Sequence, residues 1–470
     1  MSSVLSLESW AVSSSRVKAL LYDLVAFMLS GASIKLLSFF MVPLYTHFLS
    51  TEDYAISDLL TLVIQLAIPL LTLSISDSVL RFGLELNSDK GAVLGTGLSL
   101  TLCSIILAVP ICAIVGIISG DWGLALFSFL LFSVQNLNNF FAAYFKCVNK
   151  TKQMALISSV SGIMIVVLNV AFIAGLHMGL HGYWLGNVVG NCIGLGLYML
   201  LDGWRAFCYL RKPEAKVLNR LLSYSIPLIP NSLFWWINSS MDRFVLTALS
   251  TLSFVGLYSA ASKIPQILST ISGFFFQAWN ISVFKDFGST DSAIFFRKGF
   301  VVISYGSFLL AGLLIVINIP LSKLLFSGEF FEAWRLVPLL LTGTTVSIVN
   351  QFLGSVFTAS KETNVIFTTT AVGSIINIIL NVILISAFGG IGAVVATLVS
   401  YLVVYVSRAK KIASTYSILD LSHTAPCLQI VGLVILSALS MSGFTVLQLG
   451  AVFIVFAVGI GCFEFSSIRK

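Results

Sequence analysis

The residues Ala92–Ile117 read AVLGTGLSLTLCSIILAVPICAIVGI and include no Asp, Glu, Lys or Arg. An apolar helix of roughly 20 residues is long enough to cross the hydrocarbon core of a bilayer. Similar stretches recur along the whole chain of 470 residues, of which 58% are hydrophobic and only 10% are charged. A soluble domain carries about 25% charged residues and could not bury so much apolar surface. The sequence therefore predicts an integral membrane protein.

The apolar segments predict an all-α fold with about fourteen membrane-spanning helices. Helices are favoured because each one satisfies its backbone hydrogen bonds within its own segment. A membrane barrel would need polar residues alternating with apolar ones, and this alternation is absent. The spans are expected at 19–47, 54–76, 92–117, 123–145, 153–176, 183–203, 221–248, 253–284, 299–319, 336–358, 364–386, 390–407, 426–444 and 447–464.

The Lys and Arg residues predict the orientation of these spans. Lys323 and Arg335 fall in outer connections, and Lys35, Arg243 and Lys263 fall within spans. With the N-terminus in the cytoplasm, the remaining 21 of the 26 Lys and Arg residues fall on the cytoplasmic side. Such a bias toward the inside sets the topology of membrane proteins. Both termini are therefore expected in the cytoplasm, and the net charge of +7 needs no nucleic-acid partner.

Short matches at equivalent topological positions indicate an internal duplication. The matching pairs are Leu49–Thr51 with Leu249–Thr251, Leu168–Val170 with Leu380–Val382, and the small residues Gly182, Gly186, Gly190 and Gly194 with Gly392, Ala396 and Ser400. Small residues four apart line one face of a helix and let a second helix approach closely. The order of the matches predicts two parallel six-helix repeats that enclose a central cavity, followed by two additional helices.

The longest polar connection, Trp204–Asn219, separates the two repeats and predicts the domain bounds. We expect an N-terminal six-helix lobe at 1–203 and a cytoplasmic linker at 204–219. A C-terminal six-helix lobe is expected at 220–410, and the two additional C-terminal helices at 411–470.

Three cations lie within predicted spans, and such residues usually face a cavity or a partner. Lys35 falls in the first span, Arg243 in the seventh and Lys263 in the eighth. We expect them to line a cationic cavity for an anionic substrate, especially a phosphate, which gains from charge-assisted contacts. The alternatives are that Arg243 is interfacial and that Lys35 snorkels to the membrane surface. Pro265 predicts a kinked helix beside Lys263.

Two carboxylates, Asp58 and Asp242, lie in or near predicted spans and are candidates for carrying a coupling proton. The alternatives are a structural ion pair between Asp58 and Lys35, and an interfacial position for Asp242. The sequence has no GxxxxGK[ST], HExxH or GxSxG motif and no metal-ligand spacing. We therefore expect a transporter rather than an enzyme, with no resident cofactor or metal.

Several motifs of the chain are similar to those of a known transporter family. They are Lys35–Phe39, Pro43–Tyr54, Asp58-Leu59, Ser76–Phe82, Asp242–Phe244, Gly256–Ser259 and Lys263–Pro265. These motifs resemble those of the polysaccharide-repeat-unit flippases, the Wzx-type transporters of O-antigen and capsule assembly. These belong to the multidrug/oligosaccharidyl-lipid/polysaccharide exporter superfamily. The resemblance covers about residues 20–410.

This resemblance implies a flippase of the bacterial inner membrane with two six-helix lobes. It implies alternating access, by which an undecaprenyl-pyrophosphate-linked oligosaccharide of O-antigen (lipopolysaccharide), capsule or exopolysaccharide moves from the cytoplasmic to the periplasmic leaflet. It also implies coupling to a proton or sodium gradient, and a polysaccharide polymerase and a chain-length regulator as partners.

The resemblance also implies which residues bind the substrate. Lys35, Arg243 and Lys263 match the positions where the family places cations, and Arg81 matches its Arg-Phe pair. The scarcity of deep carboxylates is a departure from the family, and so are the two helices beyond its usual twelve.

Three other functions compete with a flippase. An ion-coupled small-molecule antiporter on the same scaffold would favour deep carboxylates, whereas this chain places Lys35 and Lys263 in its spans. A membrane-embedded glycosyl polymerase or ligase would need a large outer loop with catalytic groups. A scaffold without transport activity would leave the lysines in the spans unexplained.

Overall fold

The structure, a computed structural model, describes residues 39–85, 89–210, 214–286, 292–360, 362–415 and 424–469. Within these ranges the chain is almost entirely helical and has no strand. The chain forms two compact units. The N-terminal unit comprises Phe48–Met241, and the C-terminal unit comprises the described residues up to His47 together with those from Asp242 onward. The predicted lobe and linker bounds rest on the sequence repeat and stay a prediction.

The first half of the chain contains ten helices in the described ranges, two of which continue into π-helical turns. They are α1 (Val42–Phe48), α2 (Thr51–Leu71), α3 (Ile75–Gly83), α4 (Lys90–Ser119), α5 (Trp122–Cys147), α6 (Thr151–Asn169, continued by Val170–Gly175), α7 (Gly179–Tyr198, continued by Met199–Gly203), α8 (Trp204–Cys208), α9 (Ala215–Ser225) and α10 (Leu228–Leu249).

The second half begins with α11, and its described ranges hold eight helices and one 3-10 helix. They are α11 (Leu252–Ala261), α12 (Lys263–Asp286), α13 (Ser292–Val316), α14 (Asn318–Leu325), the 3-10 helix Gly328–Arg335, α15 (Val337–Ala359), α16 (Thr363–Thr415), α17 (Thr424–Met441) and α18 (Val446–Arg469).

Hydroxyl and carboxylate side chains explain where several helices begin. The side chain of Ser50 accepts a hydrogen bond from the backbone N–H of Asp53 and caps α2, and Thr251 caps α11 in the same way. Such caps satisfy backbone donors that a helix leaves unpaired at its start. The two Leu-Ser-Thr segments of the repeat are therefore both helix-start signals, although the capping residue is Ser in one and Thr in the other.

Glycine packing holds α6 against α7 in the N-terminal unit. A Cβ added at Gly190 would lie 2.9 Å from the backbone Cα of Ile165, and one at Gly186 would lie 2.3 Å from Oδ1 of Asn169. Added Cβ atoms at Gly182 and Gly194 would also lie within about 3 Å of the facing segment. The prediction that this small-residue face admits a second helix at close range is confirmed.

The C-terminal unit is built around α15, which packs against α12, α13, α16 and α17. The helices α17 and α18, predicted as additions to the repeat, are packed within this unit. The Tyr305 hydroxyl of α13 donates to the carbonyl of Ala457 in α18 at 2.7 Å. Thr342 of α15 and Ser437 of α17 are hydrogen bonded through their hydroxyls at 3.1 Å.

The described helices support a multi-pass membrane protein. Eight are long and apolar enough to cross a bilayer, and α17 and α18 each contain a shorter apolar segment. One of the eight, α16, contains Gly389 with φ +58°, where the predicted eleventh and twelfth spans meet. Exposed apolar side chains such as Ile118 and Leu447 suit contact with lipid. The predicted number of fourteen spans is not established, and most of the predicted first span lies outside the described residues.

Several predicted spans differ from the helices observed: the second is divided between α2 and α3, and the seventh between α9 and α10. The eighth span is divided into α11 and α12 at Ser262. Pro265 accounts for the break, because a proline ring clashes with the carbonyl four residues earlier, here that of Ala261. The twelfth span was predicted to end at residue 407, but α16 continues to Thr415. Arg408, expected in a cytoplasmic connection, therefore lies within a helix, where it is buried.

Candidate functional site

Arg81, a predicted substrate-binding residue, lies in the last turn of α3 and is exposed. Its Nη1 lies 3.9 Å from Oε1 of Glu85, and the same carboxylate lies 2.7 Å from Nη2 of Arg220 in α9. The Arg220 guanidinium also lies over the Phe82 ring, 4.4 Å from its centroid. Glu85 thus joins α3 to α9, which begins within the predicted linker, and both helices are in the N-terminal unit.

The remaining predicted site residues outside the seventh predicted span are Lys35, Asp58 and Lys263. Lys35 lies outside the described residues, and so does its predicted pairing with Asp58. Asp58 lies half-buried in α2 of the N-terminal unit. Lys263 is half-buried at the first position of α12 in the C-terminal unit, directly after the break at Ser262. The substrate-binding roles of these residues stay a prediction.

Asp242 is the centre of a buried polar cluster within the C-terminal unit. Its side chain is 5% exposed, and its carboxylate accepts hydrogen bonds from three neutral side chains. The Tyr258 hydroxyl and the Thr397 hydroxyl each donate to Oδ2 at 2.8 Å, and Asn381 Nδ2 donates to Oδ1. Within the part of the chain that the structure describes, Asp242 has no ion pair.

A second amide, Asn377, closes this cluster into a ring. Its Oδ1 accepts from Asn381 Nδ2 at 2.9 Å, and its Nδ2 donates to Thr397 Oγ1 at 3.2 Å. Asn377 is 2% exposed and Asn381 is fully buried. The Oδ1 atom of Asn381 is buried without a hydrogen-bond partner. An orphaned oxygen beside a carboxylate is a group that a small cation or a water could satisfy.

Three helices position the cluster. The carboxylate comes from α10 and the Tyr258 hydroxyl from α11. The amides lie on the first arm of α16, and Thr397 lies on the second arm, beyond the bend at Gly389. The spacing of Asn377 and Asn381 by four residues places both amides on one face of a helix.

Arg243 follows Asp242 in sequence but points to different partners. Its Nε donates to the Ser259 hydroxyl at 3.2 Å, and its guanidinium lies 5.6 Å from the centroid of the Tyr258 ring. Tyr258 therefore contacts both neighbours, donating its hydroxyl to the carboxylate and offering its ring face to the cation. Such cation–π contacts favour the charged guanidinium.

The cluster can hold a small monovalent cation or a proton. Carboxylate, hydroxyl and amide oxygens are the ligands of hard cations. Rotation of the Asn381 amide would replace its N–H donor with the orphaned oxygen and so add an oxygen ligand. Within the described residues, no group of three His, Cys, Asp or Glu side chains could hold a metal ion.

The sequence pattern identifies Asp242 but not the residues that surround it. Asn381 belongs to the Leu-Asn-Val match and Tyr258 to a family motif, and neither position indicates a contact with Asp242. Asn377 and Thr397 carried no distinct signal. A polar residue every four positions on a predicted span, as at 377 and 381, is the pattern that could have indicated a polar face.

A family model described as "Polysaccharide biosynthesis protein" matches residues 20–280, which is more than half of the chain. Among curated proteins, the chain is similar to the "Probable low-salt glycan biosynthesis flippase Agl15" of Haloferax volcanii. The two are 29% identical over 218 residues, which is 44% of this chain and 45% of that protein. The chain thus matches less than half the length of this relative.

Two solved structures share the fold across most of the chain. The lipid II flippase MurJ in an inward closed conformation aligns with a TM-score of 0.69 at 16% identity and covers 95% of this chain and 100% of its own. An inward-facing multidrug resistance MATE family transporter of the MOP superfamily aligns with a TM-score of 0.66 at 13% identity. That alignment covers 81% of this chain and 94% of the transporter. At these identities the likeness shows the fold alone.

Proposed function

Because the chain belongs to the polysaccharide biosynthesis protein family, we propose that it is a flippase for a lipid-linked oligosaccharide. The family match over residues 20–280 is the observation that carries this proposal. The curated relative is named as a glycan biosynthesis flippase, and the fold is that of membrane transporters. Both support the same activity.

The proposed substrate is an undecaprenyl-pyrophosphate-linked repeat unit of an O-antigen of lipopolysaccharide, a capsule or an exopolysaccharide. The protein would move it from the cytoplasmic to the periplasmic leaflet of a bacterial inner membrane by alternating access, with both termini in the cytoplasm. Lys35, Arg81, Arg243 and Lys263 are the proposed contacts of the diphosphate, because cations gain most from charge-assisted hydrogen bonds to phosphate oxygens. A polymerase and a chain-length regulator are the proposed protein partners.

A leaflet assay tests this function. The purified protein is placed in liposomes that carry an undecaprenyl-pyrophosphate oligosaccharide, and a membrane-impermeant glycosidase is added outside. We expect wild type to expose the inner-leaflet pool and Lys263→Ala to expose it more slowly. Lys410→Ala is the matched control, because Lys410 is an exposed lysine of α16 and its loss should leave the rate unchanged.

The possible outcomes test the flippase activity and the role of Lys263 separately. If Lys263→Ala and wild type are equally fast, the flippase proposal stands and the role of Lys263 is rejected. If wild type fails with several glycans under imposed proton and sodium gradients, the flippase proposal is rejected. An ion-coupled small-molecule antiporter would then be the function to test.

We further propose that Asp242 carries the coupling cation, a sodium ion or a proton. Its shell of neutral hydroxyl and amide groups supports this role, because a buried carboxylate without an ion pair can accept a mobile charge, whereas Asp58 is only half-buried. We expect Asp242→Asn to abolish the acceleration of flipping by an imposed gradient, and Asp58→Asn to retain it. Gradient dependence that survives in Asp242→Asn would exclude this carboxylate.

A further inference from the structure

A buried carboxylate of the N-terminal unit, Asp202, pairs with two cations. It lies in the π-helical turn that ends α7. Its Oδ2 lies 2.9 Å from Nζ of Lys150, the residue that precedes α6, and its Oδ1 lies 3.2 Å from Nη1 of Arg205 in α8. The Tyr144 hydroxyl of α5 lies 3.5 Å from Oδ2. Asp202, Lys150 and Arg205, here called the Asp202 trio, therefore carry a net charge of +1.

The buried carboxylate holds both cations in place, but neither cation is buried with it. The Arg205 side chain is 61% exposed and that of Lys150 is 31% exposed, whereas that of Asp202 is 7% exposed. The single negative charge of Asp202 compensates one of the two cations. Their exposed N–H groups can therefore bind a further anion, and groups that are already held in position lose less conformational entropy when they do so.

Exposed apolar side chains on both sides of Asp202 suit contact with lipid. Leu200 and Leu201 precede Asp202 and are exposed, and Trp204 follows it and is also exposed. Tryptophan is enriched at the level of the lipid headgroups, because its ring is apolar and its N–H is polar. The guanidinium of Arg205 lies 5.5 Å from the centroid of the Trp204 ring. The cation and the aromatic side chain are therefore adjacent.

The helix that follows Lys150 presents a similar apolar surface. Leu156, Ile163 and Val167 of α6 are exposed, and their intervals of seven and four residues place them on one face of the helix. Lys150 immediately precedes this helix. The sequence predicts that Lys150 and Arg205 lie on the cytoplasmic side, where a membrane leaflet carries anionic lipids.

We propose that Lys150 and Arg205 bind the phosphate of an anionic phospholipid of the phosphatidylglycerol class. Its acyl chains would contact exposed apolar residues such as Leu200 and Leu201. Charge complementarity identifies this occupant, because the Asp202 trio has one uncompensated positive charge beside an apolar surface. Basic groups between membrane helices on the cytoplasmic side bind anionic headgroups in this way. The site is separate from the proposed diphosphate contacts and does not depend on flippase activity.

The charge of the trio sets the expected selectivity. One uncompensated Lys or Arg near an anionic headgroup favours its binding by about 5-fold. Phosphatidylcholine has the same kind of acyl chains but no net charge, so it should bind about 5-fold more weakly than phosphatidylglycerol. Arg205→Gln leaves the trio neutral and should remove this preference, whereas Arg205→Lys keeps the charge and should retain it.

Quenching of Trp204 fluorescence by brominated lipids tests the site in the full-length protein. Phosphatidylglycerol or phosphatidylcholine with brominated acyl chains is titrated into wild type, Arg205→Gln, Arg205→Lys and Lys410→Gln in the same zwitterionic detergent. Each variant is also made with Trp204→Phe, and the difference between the two proteins isolates the emission of Trp204. Lys410→Gln is the matched control, because it removes an equal charge from an exposed position of α16.

We expect wild type to reach half-quenching at about a 5-fold lower concentration of phosphatidylglycerol than of phosphatidylcholine. Arg205→Lys and Lys410→Gln should show the same difference between the two lipids. In Arg205→Gln the two lipids should quench Trp204 at equal concentrations.

Three results would overturn the proposal. Equal quenching of wild type by the two lipids would show that the site does not select an anionic headgroup. A preference for phosphatidylglycerol that survives in Arg205→Gln would show that the ion pairs of Asp202 are structural only. An equal loss of preference in Lys410→Gln would assign the selectivity to the general surface charge. Should Arg205→Gln not yield folded protein, Lys150→Gln replaces it with the same expected loss.

Discussion

The close packing of α6 against α7 can be tested by adding one methyl group. In Gly190→Ala the new Cβ would lie 2.4 Å from Cγ1 and 2.9 Å from Cα of Ile165. Carbon atoms in favourable contact are about 3.5–4.0 Å apart. The Ile165 side chain can rotate, but its Cα cannot, so the two helices must separate locally by about 0.6–1.1 Å.

The free-energy cost follows from this displacement. Overpacking of an interior typically costs about 1–3 kcal/mol, and a gap of up to about 1 Å forfeits a quarter to a half of the dispersion energy of nearby contacts. Alanine has a higher helix propensity than glycine, by up to about 1 kcal/mol, which offsets part of the loss. A control must therefore include the same propensity gain.

Gly196→Ala provides that control on the same helix. A Cβ added at Gly196 meets no atom within 4 Å, so this variant receives the propensity gain without the clash. We expect the free energy of unfolding of Gly190→Ala to be lower than that of Gly196→Ala by about 1–3 kcal/mol. Unfolding of both variants in the same mixed micelles measures the difference. Equal stabilities, or a less stable Gly196→Ala, would refute the packing argument.

Three further predictions concern single contacts. Tyr258→Phe removes a charge-assisted hydrogen bond and should lower the free energy of unfolding by about 1.5–3 kcal/mol, with a matching fall in melting temperature. Trp279→Phe removes the bond from Nε1 to Ser355 Oγ at 2.9 Å in a buried aromatic cluster, and should cost about 1–3 kcal/mol in the same assay. Arg220→Ala breaks an exposed ion pair with Glu85, and we expect a loss of no more than about 1 kcal/mol that disappears in high salt. An effect of Arg220→Ala that persists in high salt would show that the pair matters through packing.

Most of the helix positions could be predicted from the sequence because the bilayer leaves few alternatives. A lipid-exposed segment must satisfy its own backbone hydrogen bonds, so a long apolar run becomes a helix. The glycine face of α7 could be predicted for a similar reason, since repeated small residues have one common use at a helix interface. The break before Lys263 followed from the chemistry of Pro265.

The environment of Asp242 could not be predicted, because it depends on which helices become neighbours. The amide that donates to its carboxylate lies 139 residues away in sequence, and the donating threonine 155 residues away. Periodicity identifies the polar face of a helix but not the helix that faces it. Arg408 escaped notice for a related reason. A cation near the end of a span usually reaches water, and here the helix continues and buries it.

The Leu-Asn-Val segment occurs twice in the sequence, and its two copies have different surroundings. In the N-terminal unit its asparagine, Asn169, lies against Gly186, where no side chain separates the two helices. In the C-terminal unit the corresponding Asn381 contacts the carboxylate of Asp242. The same residue type thus serves helix packing in one repeat and a polar cluster in the other.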